Sequence, residues 1–197
     1  MTRSILGLCL ALSLIGCGDD GGGNTQPQDA AIQDSTTIDM PAGGLTLTSP
    51  AFTAGSAIPA AYTCSGANTS PQLTWTGAPS GTLSFAVVLT DLSLTPPLVH
   101  WAIYDIPSTE TGIPANVDKA YEPANVPGAH QAASFDNQTR GYLGPCPPNK
   151  HNYQFAVYAI FAATLPGSTM QTTAADAAAS ITAHQLSHAY LLGNYMK

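Results

Sequence analysis

His151 and Tyr153 stand two residues apart at the head of the apolar run 153–161. On an extended strand side chains two apart share a face, so this spacing offers an imidazole and a phenol to one bound group, with Asn152 and Gln154 on the other face. Directly upstream runs Gly141-Tyr142-Leu143-Gly144-Pro145-Cys146-Pro147-Pro148-Asn149-Lys150. Its prolines fix φ and remove backbone donors, while Gly144 allows main chain to approach a ligand closely. Such a loop holds its shape before anything binds. In a second cluster Asp91 ends an apolar run, a turn through Pro96-Pro97 follows, and His100 opens the next run ahead of Trp101. Strand ends facing one mouth bring Asp91, His100, His151 and Tyr153 together. A carboxylate that accepts from one ring nitrogen orients an imidazole and favours its cationic form, leaving the other nitrogen to donate to phosphate, sulfate or carboxylate. Tyr153 adds a neutral donor, and the loop around Gly144 adds backbone N–H groups. The chemistry is recognition of an anion. One such histidine alone reads as a group that satisfies a buried strand end; the joint pattern reads as a site.

The elements that must position these residues are strands. Residues 84–89, 101–106 and 153–161 are short apolar runs rich in branched or aromatic side chains, bounded by Gly, Ser, Pro and Thr. With many proline turns and no alternating helix pattern, the chain is expected to be mostly β, built of antiparallel sheets. The tail differs. Thr173 to Leu192 is rich in Ala and free of Gly and Pro, and Ile181, His184, Gln185 and His188 share a helical face. That pattern predicts one C-terminal helix ending near Gly193. His184 and His188 then sit at i and i+4, the spacing of a metal pair, but no glutamate of the HExxH type accompanies them, so they read as packing or surface residues. No metal and no cofactor is expected.

The chain divides into three parts: 1–16, 17–44 and 45–197. Residues 1–16 carry Arg3 and then an apolar run from Ser4 to Ile15, the pattern of a signal peptide and too short for a comfortable membrane span. The ending Leu14-Ile15-Gly16-Cys17 resembles the bacterial lipobox, which makes Cys17 the expected lipidation site, with an ordinary secretory signal as the alternative. From Gly18 to Gly44 there are five Asp and neither Lys nor Arg. Such a segment cannot bury enough apolar surface to offset its ordering entropy, so it reads as an acidic tether with a reach of roughly 30 Å. Gly18 in place of Asp after the cysteine favours the outer membrane of a bacterial envelope by analogy with lipoprotein sorting.

Residues 45–197 form one domain with seven acids against four bases, a net charge of −3. Nothing basic enough to line a nucleic-acid groove is present. Cys64 and Cys146 are most simply a disulfide in an oxidising compartment, with two buried thiols or a reactive Cys146 as alternatives.

Read in order, Leu47-Thr48-Ser49-Pro50-Ala51-Phe52, Tyr62-Thr63-Cys64-Ser65-Gly66-Ala67-Asn68-Thr69-Ser70-Pro71, the Asp91 turn, His100-Trp101 with Asp105-Ile106-Pro107, Gly141-Tyr142 to Phe155, His184-Gln185-Leu186 and Gly193-Asn194-Tyr195 resemble the phosphatidylethanolamine-binding protein family, and within it the bacterial Raf kinase inhibitor-like branch. The resemblance spans nearly all of the domain. It implies an antiparallel β-sandwich, a large central sheet on a smaller one, with a C-terminal α-helix and a small anion pocket beside the proline loop. By motif it implies ligand-binding roles for Asp91, His100, Gly144, His151 and Tyr153. The chain departs from the family at three points. The second acid of Asp-Pro-Asp-x-Pro is absent from Asp91-Leu92-Ser93-Leu94-Thr95-Pro96, Asn152 replaces the usual Arg, and the loop from Pro148 to His151 is short. The Asn152 and loop departures reduce positive charge and reach near the mouth.

The expected function is a tethered module for a small anionic ligand or phospholipid head group, attached to the membrane through its lipid anchor. The alternative is an inhibitor or modulator of an envelope protease or other enzyme, acting on a protein target. A hydrolase using Asp91 and His151 ranks last, since no Gly-x-Ser-x-Gly element is present.

Overall fold

A computed structural model describes residues 44–197. The leader, Cys17 and the tether as far as residue 43 lie outside the described residues. The described elements are β1 (Thr46–Thr48), β2 (Leu73–Thr76), β3 (Ser84–Asp91), β4 (Leu98–Pro107), β5 (Gly112–Ile113), β6 (His130–Gln131), β7 (His151–Ile160), α1 (Ala174–Ala183) and β8 (Gln185–Tyr195). They make a three-stranded sheet in the order β1-β2-β5 and a five-stranded sheet in the order β6-β4-β3-β7-β8. Every pairing within these sheets is antiparallel.

β3 and β4 are buried on both faces, which is why they read as unbroken apolar runs rather than as alternating ones. Phe85, Val87 and Leu89 pack with Leu73 and Trp75 of the small sheet and with Trp101, Ile103, Phe155 and Val157. The intervening Ala86, Val88, Ala102 and Tyr104 pack with Ala174, Ala177 and Ile181 of α1. Small residues on that face let the helix settle close to the strands.

The C-terminal helix is present but shorter than its alanine content suggests. Thr173 caps it, its hydroxyl accepting from the Asp176 N–H at 3.2 Å while donating to the Asp176 carboxylate at 2.7 Å. The helix stops at Ala183. His184 is its C-cap, with Nδ1 2.8 Å from the Ser180 carbonyl, and the remainder of the expected helix is β8. Pairing decides this: β8 runs against all of β7, from His151↔Tyr195 to Ile160↔Gln185, and a helix there would leave the β7 edge without partners. His184 and His188 therefore do not share a helical face; His188 lies on β8 with Nδ1 2.9 Å from Gln185 Oε1.

Gly193, expected as a helix stop, serves a strand instead. A Cβ at this position would stand 2.6 Å from Ile58 Cγ1 and 3.0 Å from Phe52 Cε2, both side chains being buried. Gly193→Ala is expected to destabilise the fold by about 1–3 kcal/mol through overpacking, read as a lower midpoint of chemical denaturation at unchanged slope.

Candidate functional site

Sheet register gathers the polar residues at one end of the sandwich. Asp91, the last residue of β3, pairs with Leu98 of β4 on one side and with Tyr153 of β7 on the other. His151 is two residues before Tyr153, so its ring falls on the face that Asp91 shares, and His100 is the extra residue where the β3–β4 register shifts between Val99 and Trp101, its ring joining the same wall. The result is a pocket of about 240 Å³ with Asp91, His100, His151 and Tyr153 in its wall.

Hydrogen bonds fix each group. Asp91 is 2% exposed, and each of its oxygens is engaged: Oδ1 accepts from the Ser93 N–H at 2.9 Å, and Oδ2 lies 2.6 Å from His151 Nδ1. His151 Nδ1 therefore carries the proton it donates to the carboxylate. His100 Nδ1 lies 3.1 Å from the Leu143 carbonyl, which can only accept, so this nitrogen is protonated as well. Neither Nε2 has a protein partner among the described residues. The two imidazoles flank Tyr153, whose ring centroid lies 5.5 Å from that of His100, edge-on, and 6.3 Å from that of His151, stacked.

Burial sets the protonation states. His100 is 4% exposed, and loss of hydration holds its imidazole below the ordinary value against the smaller opposing pulls of the Leu143 carbonyl and Asp91. The Tyr153 phenol is pushed well above its usual range, first by burial and then by the charge of the Asp91 carboxylate and a hydrogen bond to it, so it keeps its proton. The pocket thus contains a carboxylate-oriented imidazole, a neutral imidazole and a phenol. Such a set can grip a small oxygen-rich anion.

Apolar residues complete the wall. Leu94, Leu98, Phe135, Cys146, Pro147 and Pro148 line it, and no Lys or Arg does. Phe135 is 43% exposed and meets the His100 ring edge-on at 4.7 Å. Sequence reasoning missed it, because it comes from a loop rather than from a strand end. The available signal is the turn that holds it: Asp136 Oδ1 accepts from the N–H groups of Gln138 and Thr139. The Asp91 turn that lacks the family's second acid is closed by Ser93, whose Oγ accepts from the Asn152 N–H at 2.9 Å.

Gly144 departs from its expected role. It does not line the pocket, and its N–H already donates to Asn68 Oδ1 at 2.8 Å. The close approach it permits is to the chain behind the loop: a Cβ there would stand 2.3 Å from the Tyr62 carbonyl oxygen. Gly144 therefore supports the wall rather than the ligand. Nearby, the Tyr142 hydroxyl donates to Tyr62 O at 2.7 Å, and Cys64 N–H donates to Pro145 O at 3.0 Å. Cys64 and Cys146 are joined in a disulfide, with Cα atoms 5.3 Å apart. That bond excludes a free nucleophilic thiol at Cys146.

Comparison with known proteins agrees with this architecture. The family model described as "Phosphatidylethanolamine-binding protein" matches residues 48–196. A Mycobacterium tuberculosis protein named "Putative lipoprotein LppC" is 33% identical over 199 residues, covering 96% of this chain and 92% of that one. A UPF0098 protein of Methanothermobacter thermautotrophicus is 34% identical over 157 residues, 78% of this chain and 99% of its own. Among solved structures, the crystal structure of Escherichia coli YbcL, described as a new member of the mammalian PEBP family, superposes with a TM-score of 0.72 at 30% identity, covering 79% of this chain and 99% of that one.

Proposed function

Given that this chain belongs to the phosphatidylethanolamine-binding protein family, we propose that it is an envelope-tethered binding protein whose Asp91 pocket takes a small phosphate- or carboxylate-bearing ligand. The observation that carries this reading is the 2.6 Å bond from His151 Nδ1 to Asp91 Oδ2. It turns the free Nε2 toward a ligand with a carboxylate behind it. An anion arriving at Nε2 meets a ring whose other nitrogen is already bonded to a carboxylate.

The tether rests on Leu14-Ile15-Gly16-Cys17 followed by the acidic, Gly-rich stretch. The printed name of the LppC relative supports it. Cys17 is then the lipidated residue, and Gly18 favours the outer membrane.

Calorimetric titration with inorganic phosphate tests the binding reading. The native protein is expected to bind, and His151→Ala to bind at least about tenfold more weakly, the loss of one charge-assisted hydrogen bond. Equal affinity in the two proteins would remove His151 from the site.

A further inference from the structure

The two imidazoles of the pocket are not equivalent. His151 Nδ1 donates to a carboxylate, so a second proton on its Nε2 is balanced by Asp91. His100 Nδ1 donates to a neutral carbonyl, and the ring is packed edge-on against Phe135 and Tyr153 with 4% of its surface exposed. A second proton on His100 would put a desolvated charge where no carboxylate is bonded to it, consistent with burial holding this imidazole below its ordinary value. One proton already committed to Leu143 leaves His100 Nε2 a lone pair. The ligand therefore meets one donor, His151 Nε2–H, and one acceptor, His100 Nε2, while the Tyr153 O–H faces the Asp91 carboxylate.

We infer that this pocket selects an oxyanion that still carries a proton, a hydrogenphosphate or the monoanion of a phosphomonoester, over phosphodiesters and sulfate. The inference rests on the reading of the pocket as an anion site. A P–OH donates to His100 Nε2 while another oxygen accepts from His151 Nε2–H, so both ring nitrogens that face the pocket are satisfied. Sulfate and a dialkyl phosphate have no such proton near neutral pH, and each points an oxygen lone pair at the lone pair of His100. A site that leaves a buried polar atom facing the wrong partner rejects a ligand far more strongly than one that merely lacks a contact. A phospholipid head group joined through a phosphodiester falls on the disfavoured side.

The test is a calorimetric series on the full-length protein at mildly acidic pH, where methyl phosphate keeps its proton, with inorganic phosphate, methyl phosphate, dimethyl phosphate and sulfate. The first two are expected to bind at least about tenfold more tightly than the last two. Within the favoured pair, tighter binding of methyl phosphate identifies an organic monoester as the natural chemistry, and tighter inorganic phosphate identifies the free ion. Equal affinity across the series, or tighter dimethyl phosphate or sulfate, overturns the selectivity and leaves the anion site standing. No binding by any of the four, nor by acetate, removes the site itself. In His100→Gln, whose carboxamide can turn an N–H toward the ligand, the ratio of methyl phosphate to sulfate affinity is expected to collapse toward unity. An unchanged ratio in a folded variant would overturn the role given to His100, and the native series decides alone if the variant does not fold.

Discussion

Asp91→Asn is expected to weaken inorganic phosphate binding by roughly tenfold to a hundredfold while leaving the fold intact. The amide is isosteric with the carboxylate, and its oxygen can still accept from the Ser93 N–H, so the turn between β3 and β4 is preserved. What changes lies 2.6 Å away, at His151 Nδ1. The amide nitrogen donates to Nδ1, which moves the single ring proton to Nε2. The variant ring then offers a ligand a donor with no carboxylate behind it. Affinity falls because charge assistance is gone, yet it does not vanish. Calorimetry reads the effect. An affinity matching the native protein would reduce Asp91 to a turn-former.

The grouping of Asp91, His100, His151 and Tyr153 in one wall was legible because strands impose a strict period. Two residues of separation fixed His151 and Tyr153 on one face, and the apolar run ending at Asp91 marked a strand end, whereas His100, read as the opening of the next strand, is the third residue of β4, which begins at Leu98. Register then supplied what spacing alone could not, the pairing of Asp91 with Tyr153. The tail was harder, for a physical reason. Residues 184–192 alternate Ser187, Ala189 and Leu191 with Leu186, His188, Tyr190 and Leu192, a weak pattern compatible with either period, and no Gly or Pro marks the end of α1. Only the unpaired edge of β7, a tertiary fact, forces that stretch into β8. Phe135 escaped because a loop residue has no periodicity to betray which way it points. Gly144 was misjudged in a related way: sequence shows that a close approach is needed but not what approaches, and the neighbour is the Tyr62 carbonyl from far upstream.

Removing the disulfide, as Cys64→Ser with Cys146→Ser, is expected to cost about 4 kcal/mol, with ligand affinity changing much less. The bond closes a loop across a sequence separation of 82, and the chain-entropy cost of opening one that long is near the upper end of the usual range. For a domain of this size that corresponds to a fall in melting temperature on the order of 10 °C. The pocket itself has other supports. Gly144 N–H to Asn68, Cys64 N–H to Pro145 O and the Tyr142 hydroxyl to Tyr62 O all hold the proline loop without the sulfurs. Asp91, His100, His151 and Tyr153 stand on β3, β4 and β7, whose pairing does not involve either cysteine. Stability and binding are therefore expected to separate: thermal denaturation shifts strongly, while phosphate titration below the new midpoint stays within a few fold of native. A parallel collapse of both would mean that Cys146, which lines the pocket, shapes the site through the covalent bond itself. Binding would then answer to the redox state of the compartment.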